Sequence, residues 1–297
     1  IEMSLYVLCS PFYNQSRMRE ILTRPARESL DIFDQANKSE TGSILLIPHF
    51  TLSETISAMP LHFEAAKGRV SVIFRPLNNR KLNEWVTWSR SRFGVELLSR
   101  KSGYSSAIRR LETGGSVGIL FDQNASGKGS KIHFMDRVVS ATELPGILAH
   151  RKNSKTYVVY AERTAFFRAR VSVFELNRGS SPIDLTLGAH KWLAEYLGES
   201  SDHCADWLWL HDRWGSPKNP KRRFQLKPKR NRLREDAAFR AGEAFSRTTS
   251  VWLLLPEQES KDYDLPEILL MIRKARPDYA LCLISERSED DVLRKFS

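Results

Sequence analysis

The 297-residue chain has little cysteine: Cys9, Cys204 and Cys282 stand far apart. An odd, scattered set makes no disulfide framework and no metal-ligand spacing, so a reducing compartment is the simpler reading and no metal is expected. No uninterrupted apolar run approaches the roughly 18 residues that a bilayer-spanning helix needs. The GxxxxGK[ST] spacing of a nucleotide-binding phosphate loop is absent. The first residue is Ile1 rather than a start methionine, which leaves room for a targeting signal or anchor upstream. What is present is 41% hydrophobic and 27% charged residues. That balance excludes a wholly disordered chain, and the length permits a sizeable core.

Acidic residues are missing from one stretch. The net charge is +11, yet Lys218 to Arg234 holds nine basic residues and no acidic one. Pro217, Pro220 and Pro228 discourage a continuous helix there. Two readings stand: a solvated linker, or a segment that seeks an anionic membrane surface, where each Lys or Arg is worth about 1 kcal/mol. Nucleic acid would attract the same charges. Phe224 is the only aromatic residue in the stretch, so no aromatic interleaving points that way and no nucleic acid is expected.

Strand-like and helix-like runs alternate. Ser43 to Pro48, Val70 to Arg75 and Val117 to Phe121 read as buried strands. Thr51 to Ala66, Lys81 to Phe93, Ser105 to Glu112, Ala141 to Arg151 and Leu185 to Leu197 read as helices, the second stopping at Gly94. Thr156 to Ala161 and Phe166 to Phe174 read as a hairpin. The alternation predicts an α/β fold around a mainly parallel sheet flanked by helices, with ligands beyond the carboxyl ends of the strands. Near the carboxyl terminus, strands Val251 to Leu255 and Tyr279 to Ile284 around a helix Leu265 to Ala275 predict a partial Rossmann-like βαβ unit. The expected division is 1–217, a basic linker 218–235, and the partial unit 236–297.

His49 directly follows the first buried strand, with Glu54 five residues on. On one continuous helix those side chains would point roughly 140° apart. A His–Glu contact therefore requires His49 in the turn and Glu54 in the first turns of the helix, with Thr51 as N-cap. Such a pair is a general-base arrangement; the alternative is a histidine that caps a helix without chemistry. Strand two ends in Arg75-Pro76-Leu77-Asn78, and strand three in Asp122-Gln123-Asn124 with a Gly/Lys loop, Gly127-Lys128-Gly129. Three strands that deliver polar groups at one end suggest a site. Trp207, Trp209 and Trp214 with Arg213 read either as core packing with a rim charge or as an interfacial belt.

Four blocks in order carry a more specific signal. They are PHFTLSE around His49 and Glu54, FRPLNNRKLNEWVTWSRSRFG from Phe74 to Gly94, GGSVGILFDQNASGKGSKIHF from Gly114 to Phe134 with SAT at Ser140 to Thr142, and DWLWLHDRWGSP from Asp206 to Pro217. Over Ile47 to Pro217 the chain resembles the bacterial lipid A lauroyl and myristoyl acyltransferases, which are lysophospholipid-acyltransferase-like. It departs from that pattern at Asn124 and at Met135-Asp136, positions that bear on substrate fit. The segment near ARPD, Ala275 to Asp278, resembles the opening βαβ of a heptosyltransferase.

The resemblance implies acyl transfer from an acyl carrier protein or coenzyme A thioester to a hydroxyl of a lipid A precursor. These would be co-substrates, with no cofactor. His49 would be the base and Glu54 its orienting acid. Arg75, Asn78, Arg90, Arg92, Asp122, Gln123 and Arg213 would bind substrate, Arg75 at the oxyanion or at a lipid phosphate. Arg90 and Arg92 lie two apart on a helix, so at most one can face the site. The family implies the cytoplasmic face of the inner membrane, with an anchor ahead of Ile1. Other readings are a related glycolipid or lysophospholipid acyltransferase, a non-enzymatic basic membrane adaptor, and a glycosyltransferase.

Overall fold

The structure is a computed structural model that describes residues 2–38, 40–100, 103–125, 129–135, 137–209, 213, 250–254 and 280–284. In chain order the elements are α1 (Glu2–Cys9), α2 (Gln15–Ile21), β1 (Leu22–Thr23), α3 (Arg27–Asn37), β2 (Ser43–Ile47), a 3₁₀-helix (Ser53–Leu61), β3 (Val70–Phe74) and α4 (Arg80–Ser91). There follow β4 (Glu96–Ser99), α5 (Gly103–Glu112), β5 (Ser116–Leu120), β6 (Ser130–Phe134), β7 (Arg137–Ala141) and α6 (Leu144–Lys152). The last are β8 (Lys155–Ala165), β9 (Arg168–Glu175), α7 (Pro182–Glu199), α8 (Ser201–Asp206), β10 (Ser250–Leu254) and β11 (Ala280–Ile284).

The chain divides into two units, one of Ile1–Gln123 with Glu143–His211, the other of Asn124–Thr142 with Asp212–Ser297. The first holds a seven-stranded sheet in the order β1-β9-β8-β2-β5-β3-β4. Every pairing in it is parallel except the β8–β9 hairpin. The expected mainly parallel α/β fold is what the structure has. All five residues of β2 are buried, because its neighbours β8 and β5 flank it and both faces are covered. Leu45 and Ile47 join the core with Met18, Phe33, Met59 and Phe63. Ile44 and Leu46 are buried as well, and α6 packs on β2 while α7 packs on α6. Gly146 permits that last approach, since a Cβ there would meet the Pro182 carbonyl at 2.1 Å. Ser181 and Asp184 start α7 with a capping box. Gly94, at φ 100°, stops the α4 segment as expected.

One expected helix differs. Thr51 to Ala66 is a 3₁₀-helix over Ser53–Leu61 followed by a 3₁₀ turn at Glu64–Ala66, not a continuous α-helix. Pro60 lacks the amide hydrogen that an α-helical bond at this point needs. The Thr55 and Ser57 hydroxyls donate three residues back, to the Leu52 and Glu54 carbonyls. Thr51 is not the cap: its amide and hydroxyl both donate to the Asp206 carbonyl.

In the second unit, β6 and β7, which follow the Gly/Lys stretch, form an antiparallel hairpin. Arg213 is fully buried there. Its Nη1 donates to the Ser140 carbonyl at 2.7 Å and its guanidinium lies 5.8 Å from the Phe134 ring centre. β10 and β11 pair in parallel, from Ser250↔Ala280 to Leu254↔Ile284. The expected helix Leu265 to Ala275, the basic stretch Lys218 to Arg234, Trp214, and Gly127 with Lys128 lie outside the described residues. Among the described residues no helix is long and apolar enough to cross a membrane.

Candidate active site

The register of the sheet builds the site. Ile47 of β2 pairs with Leu120 of β5. Two residues beyond that pair on each strand stand His49 and Asp122, so neighbouring strand ends deliver them together. His49 Nδ1 lies 2.5 Å from Asp122 Oδ1, and the His49 main-chain N–H donates to Asp122 Oδ2 at 2.8 Å. The Trp207 indole N–H donates to that same Oδ2 at 2.8 Å. His49, Asp122 and Trp207 are all buried. The second ring nitrogen, His49 Nε2, meets Gln123 Nε2 at 2.7 Å, and Gln123 is exposed.

The electrostatics follow from these contacts. Burial by itself would raise the Asp122 carboxyl. The His49 ring charge, the two hydrogen bonds from His49 and the one from Trp207 outweigh it and hold the group well below the usual carboxylate range. An ionised Asp122 fixes the proton on Nδ1, which leaves Nε2 as the basic atom.

The segment after α8 pins the histidine from the other side. Leu208 N–H donates to the His49 carbonyl and Thr51 N–H to the Asp206 carbonyl, both at 2.8 Å, around a bridge between Phe50 and Trp207.

The structure corrects the partner expected for His49. Glu54 gives both carboxylate oxygens to Arg90, at 2.8 Å from Nε and 2.5 Å from Nη2. Asp122 takes Nδ1 instead. The reason is geometric: the chain between His49 and Glu54 runs through a turn into a 3₁₀-helix, whereas the adjacent strand places Asp122 beside the ring.

Arg92, two residues past Arg90, donates to the Pro11 carbonyl at 2.6 Å and to that of Ser10. Of that arginine pair only Arg90 engages Glu54, and Arg92 braces the chain after α1. Arg75 and Asn78 are exposed on the loop after β3, at the same edge of the sheet as His49. Arg213 is committed to the β6–β7 hairpin. Trp207 packs in the site, and Trp209 is partly exposed, edge-on to it at 4.9 Å.

A groove of about 380 Å³ runs beside Glu54 and Arg90. Its walls include Val7 and Leu8 of α1 and Leu82, Trp85 and Val86 of α4, with Phe93. None of the α4 residues is fully buried, so this amphipathic helix offers an apolar face to the groove.

The family described as bacterial lipid A biosynthesis acyltransferase matches residues 8–216. The chain belongs to that family. The match covers the first three blocks of the sequence signal and the fourth up to Ser216, and it includes His49, Asp122 and Trp207. A comparison with curated proteins gave no match. As a lipid A biosynthesis acyltransferase family member, the protein falls among enzymes that transfer acyl chains to lipid.

Proposed function

We propose that the protein moves a fatty acyl chain from an acyl carrier protein or coenzyme A thioester to a hydroxyl of a lipid A precursor, with His49 as general base and Asp122 as the group that orients it. The observation that carries this reading is the His49–Asp122 contact at the carboxyl edge of a parallel sheet, with the other ring nitrogen turned to an exposed glutamine. In the proposed reaction the acceptor hydroxyl displaces Gln123 from Nε2. The imidazole takes the hydroxyl proton as the oxygen attacks the thioester carbonyl. The tetrahedral intermediate collapses, the C–S bond breaks, and the imidazolium returns the proton to the departing thiolate. Asp122 stabilises that imidazolium without accepting the proton. The Gln123 amide, once displaced, and the exposed Arg75 guanidinium are the candidate donors to the oxyanion, worth about 3–4 kcal/mol per well-placed donor. No nucleophilic Ser or Cys is required.

The apolar groove beside Glu54 supports placing the acyl chain there, with the Glu54–Arg90 pair as its polar wall. Asn78 sits with Arg75 on the loop that would meet the acceptor. The family's membrane association supports a peripheral place on the inner membrane. The test is mass spectrometry of lipid A from cells that express the complete protein, its His49→Ala variant, or neither. An added acyl chain only with the wild type is expected. Identical lipid A in all three would overturn the proposal.

A further inference from the structure

Asp122 can hold His49 only if its own carboxylate plane is held. A carboxylate bound through one oxygen can rotate and exchange its two oxygens, and each rotation releases Nδ1. Here Oδ1 faces Nδ1, while Oδ2 accepts from two donors, the His49 amide and the Trp207 indole. The indole is the only one of those three donors that lies outside the residue being oriented.

Trp207 is itself fixed. It is buried, its main chain bridges Phe50, and its own N–H donates to the Cys204 carbonyl at the end of α8. Its ring stands edge-on to Trp209, at 79°, and the Trp209 indole donates to the Cys204 carbonyl at 2.7 Å. The ring therefore reaches Asp122 from a preorganised frame.

We infer that Trp207 is a positioning residue for acyl transfer, whose indole N–H locks the Asp122 carboxylate and through it the tautomer and aim of His49. This inference rests on the acyl-transfer reading above. It differs from a packing role in what it demands: the ring's shape is not enough, and the N–H is needed.

The experiment compares three forms of the full chain: wild type, Trp207→Phe, and a form in which residue 207 is benzothienylalanine, which keeps the ring shape and lacks the N–H. Two readouts are taken. One is the low-field proton resonance of the His49 Nδ1–H in the resting protein. The other is kcat and KM with an acyl-coenzyme A donor and a lipid A precursor acceptor. Loss of one hydrogen bond to a buried charged group should lower kcat roughly 10- to 100-fold. Both substituted forms should show that loss with KM within about twofold, and the Nδ1–H resonance should move or broaden in both. If benzothienylalanine behaves as wild type while Trp207→Phe is impaired, the ring only fills space and the inference is overturned. Unchanged kcat and resonance in both forms overturn it too. If the wild type transfers no acyl group, the functional reading fails, while the resonance alone still decides whether Trp207 positions His49.

Discussion

At the scale of single residues, the proposed chemistry concentrates on two groups. Removing a general base costs roughly 100- to 10,000-fold in rate. His49→Ala should therefore lose acyl transfer by that factor while its circular dichroism and melting temperature stay close to wild type. Activity within about threefold of wild type would reject His49 as the base. Asp122→Asn keeps the shape and removes the charge that fixes the tautomer, so a loss on the order of 100-fold or more is expected. The same variant carries a pH signature. The folded Asp122 carboxyl is held below its unfolded range, so its ionised form contributes stability that is present above about pH 4 and lost as pH falls through and below that value. The stability difference between wild type and Asp122→Asn, measured in urea, should therefore shrink between pH 6 and pH 3. A constant difference would mean that the Asp122 charge is not coupled to folding.

At the scale of elements, the Glu54–Arg90 pair ties the 3₁₀-helix to α4 across the apolar groove. Both side chains are partly buried and the fork is bidentate, the geometry in which an ion pair has measurable worth. Glu54→Gln and Arg90→Gln should each destabilise the fold, and the double variant should cost less than the sum, with a coupling of about 1–3 kcal/mol in urea unfolding. Because neither residue holds a ring nitrogen of His49, the Nδ1–H resonance should survive in Glu54→Gln and vanish in Asp122→Asn. The opposite pattern would restore Glu54 as the orienting acid. This is also where the sequence was legible and where it was not. Buried runs such as SILLI announce β2, β3 and β5, and polar residues at their ends announce one edge of the sheet. Which acid meets His49 depends on β2 and β5 being neighbours in register, a long-range fact that local spacing does not carry. H-x4-E looks like a contact only if an α-helix follows His49, and Pro60 with the Ser/Thr back-bonds makes that stretch 3₁₀. Trp207 was legible as an aromatic with two possible roles. Its third, as a donor to a carboxylate 85 positions away, required the fold.

At the scale of the whole molecule, a membrane-bound lipid substrate requires a surface that meets the bilayer. Large apolar side chains are open on the first unit: Phe12 is 81% exposed, Phe166 67% and Leu8 62%. Phe166 sits at the β8–β9 turn, in a groove shared with Leu5 and Cys9 of α1 and with Tyr13, and Arg17 and Arg168 border it. Apolar side chains flanked by arginines suit an anionic leaflet, where rings bury and guanidinium groups meet phosphates. The basic stretch Lys218 to Arg234 would add a second attraction of a different kind. Salt separates the two. Electrostatic attraction fades within a Debye length of about 8 Å at physiological salt, whereas ring burial, about 1.5–3 kcal/mol per phenylalanine fully buried, is nearly indifferent to it. Co-sedimentation with anionic vesicles across a salt series should therefore give two patterns. Phe12→Ser with Phe166→Ser should lower binding by a similar factor at every salt. Neutralising Lys221, Arg222, Arg223 and Lys227 should lower it mainly at low salt and flatten the salt dependence. Acyl transfer to a soluble short-chain acceptor, which needs no membrane contact, should be unchanged in both. If the phenylalanine variant sediments like wild type at all salts, Phe12 and Phe166 do not face the membrane. If the charge variant keeps the wild-type salt slope, the basic stretch is a tether and nothing more.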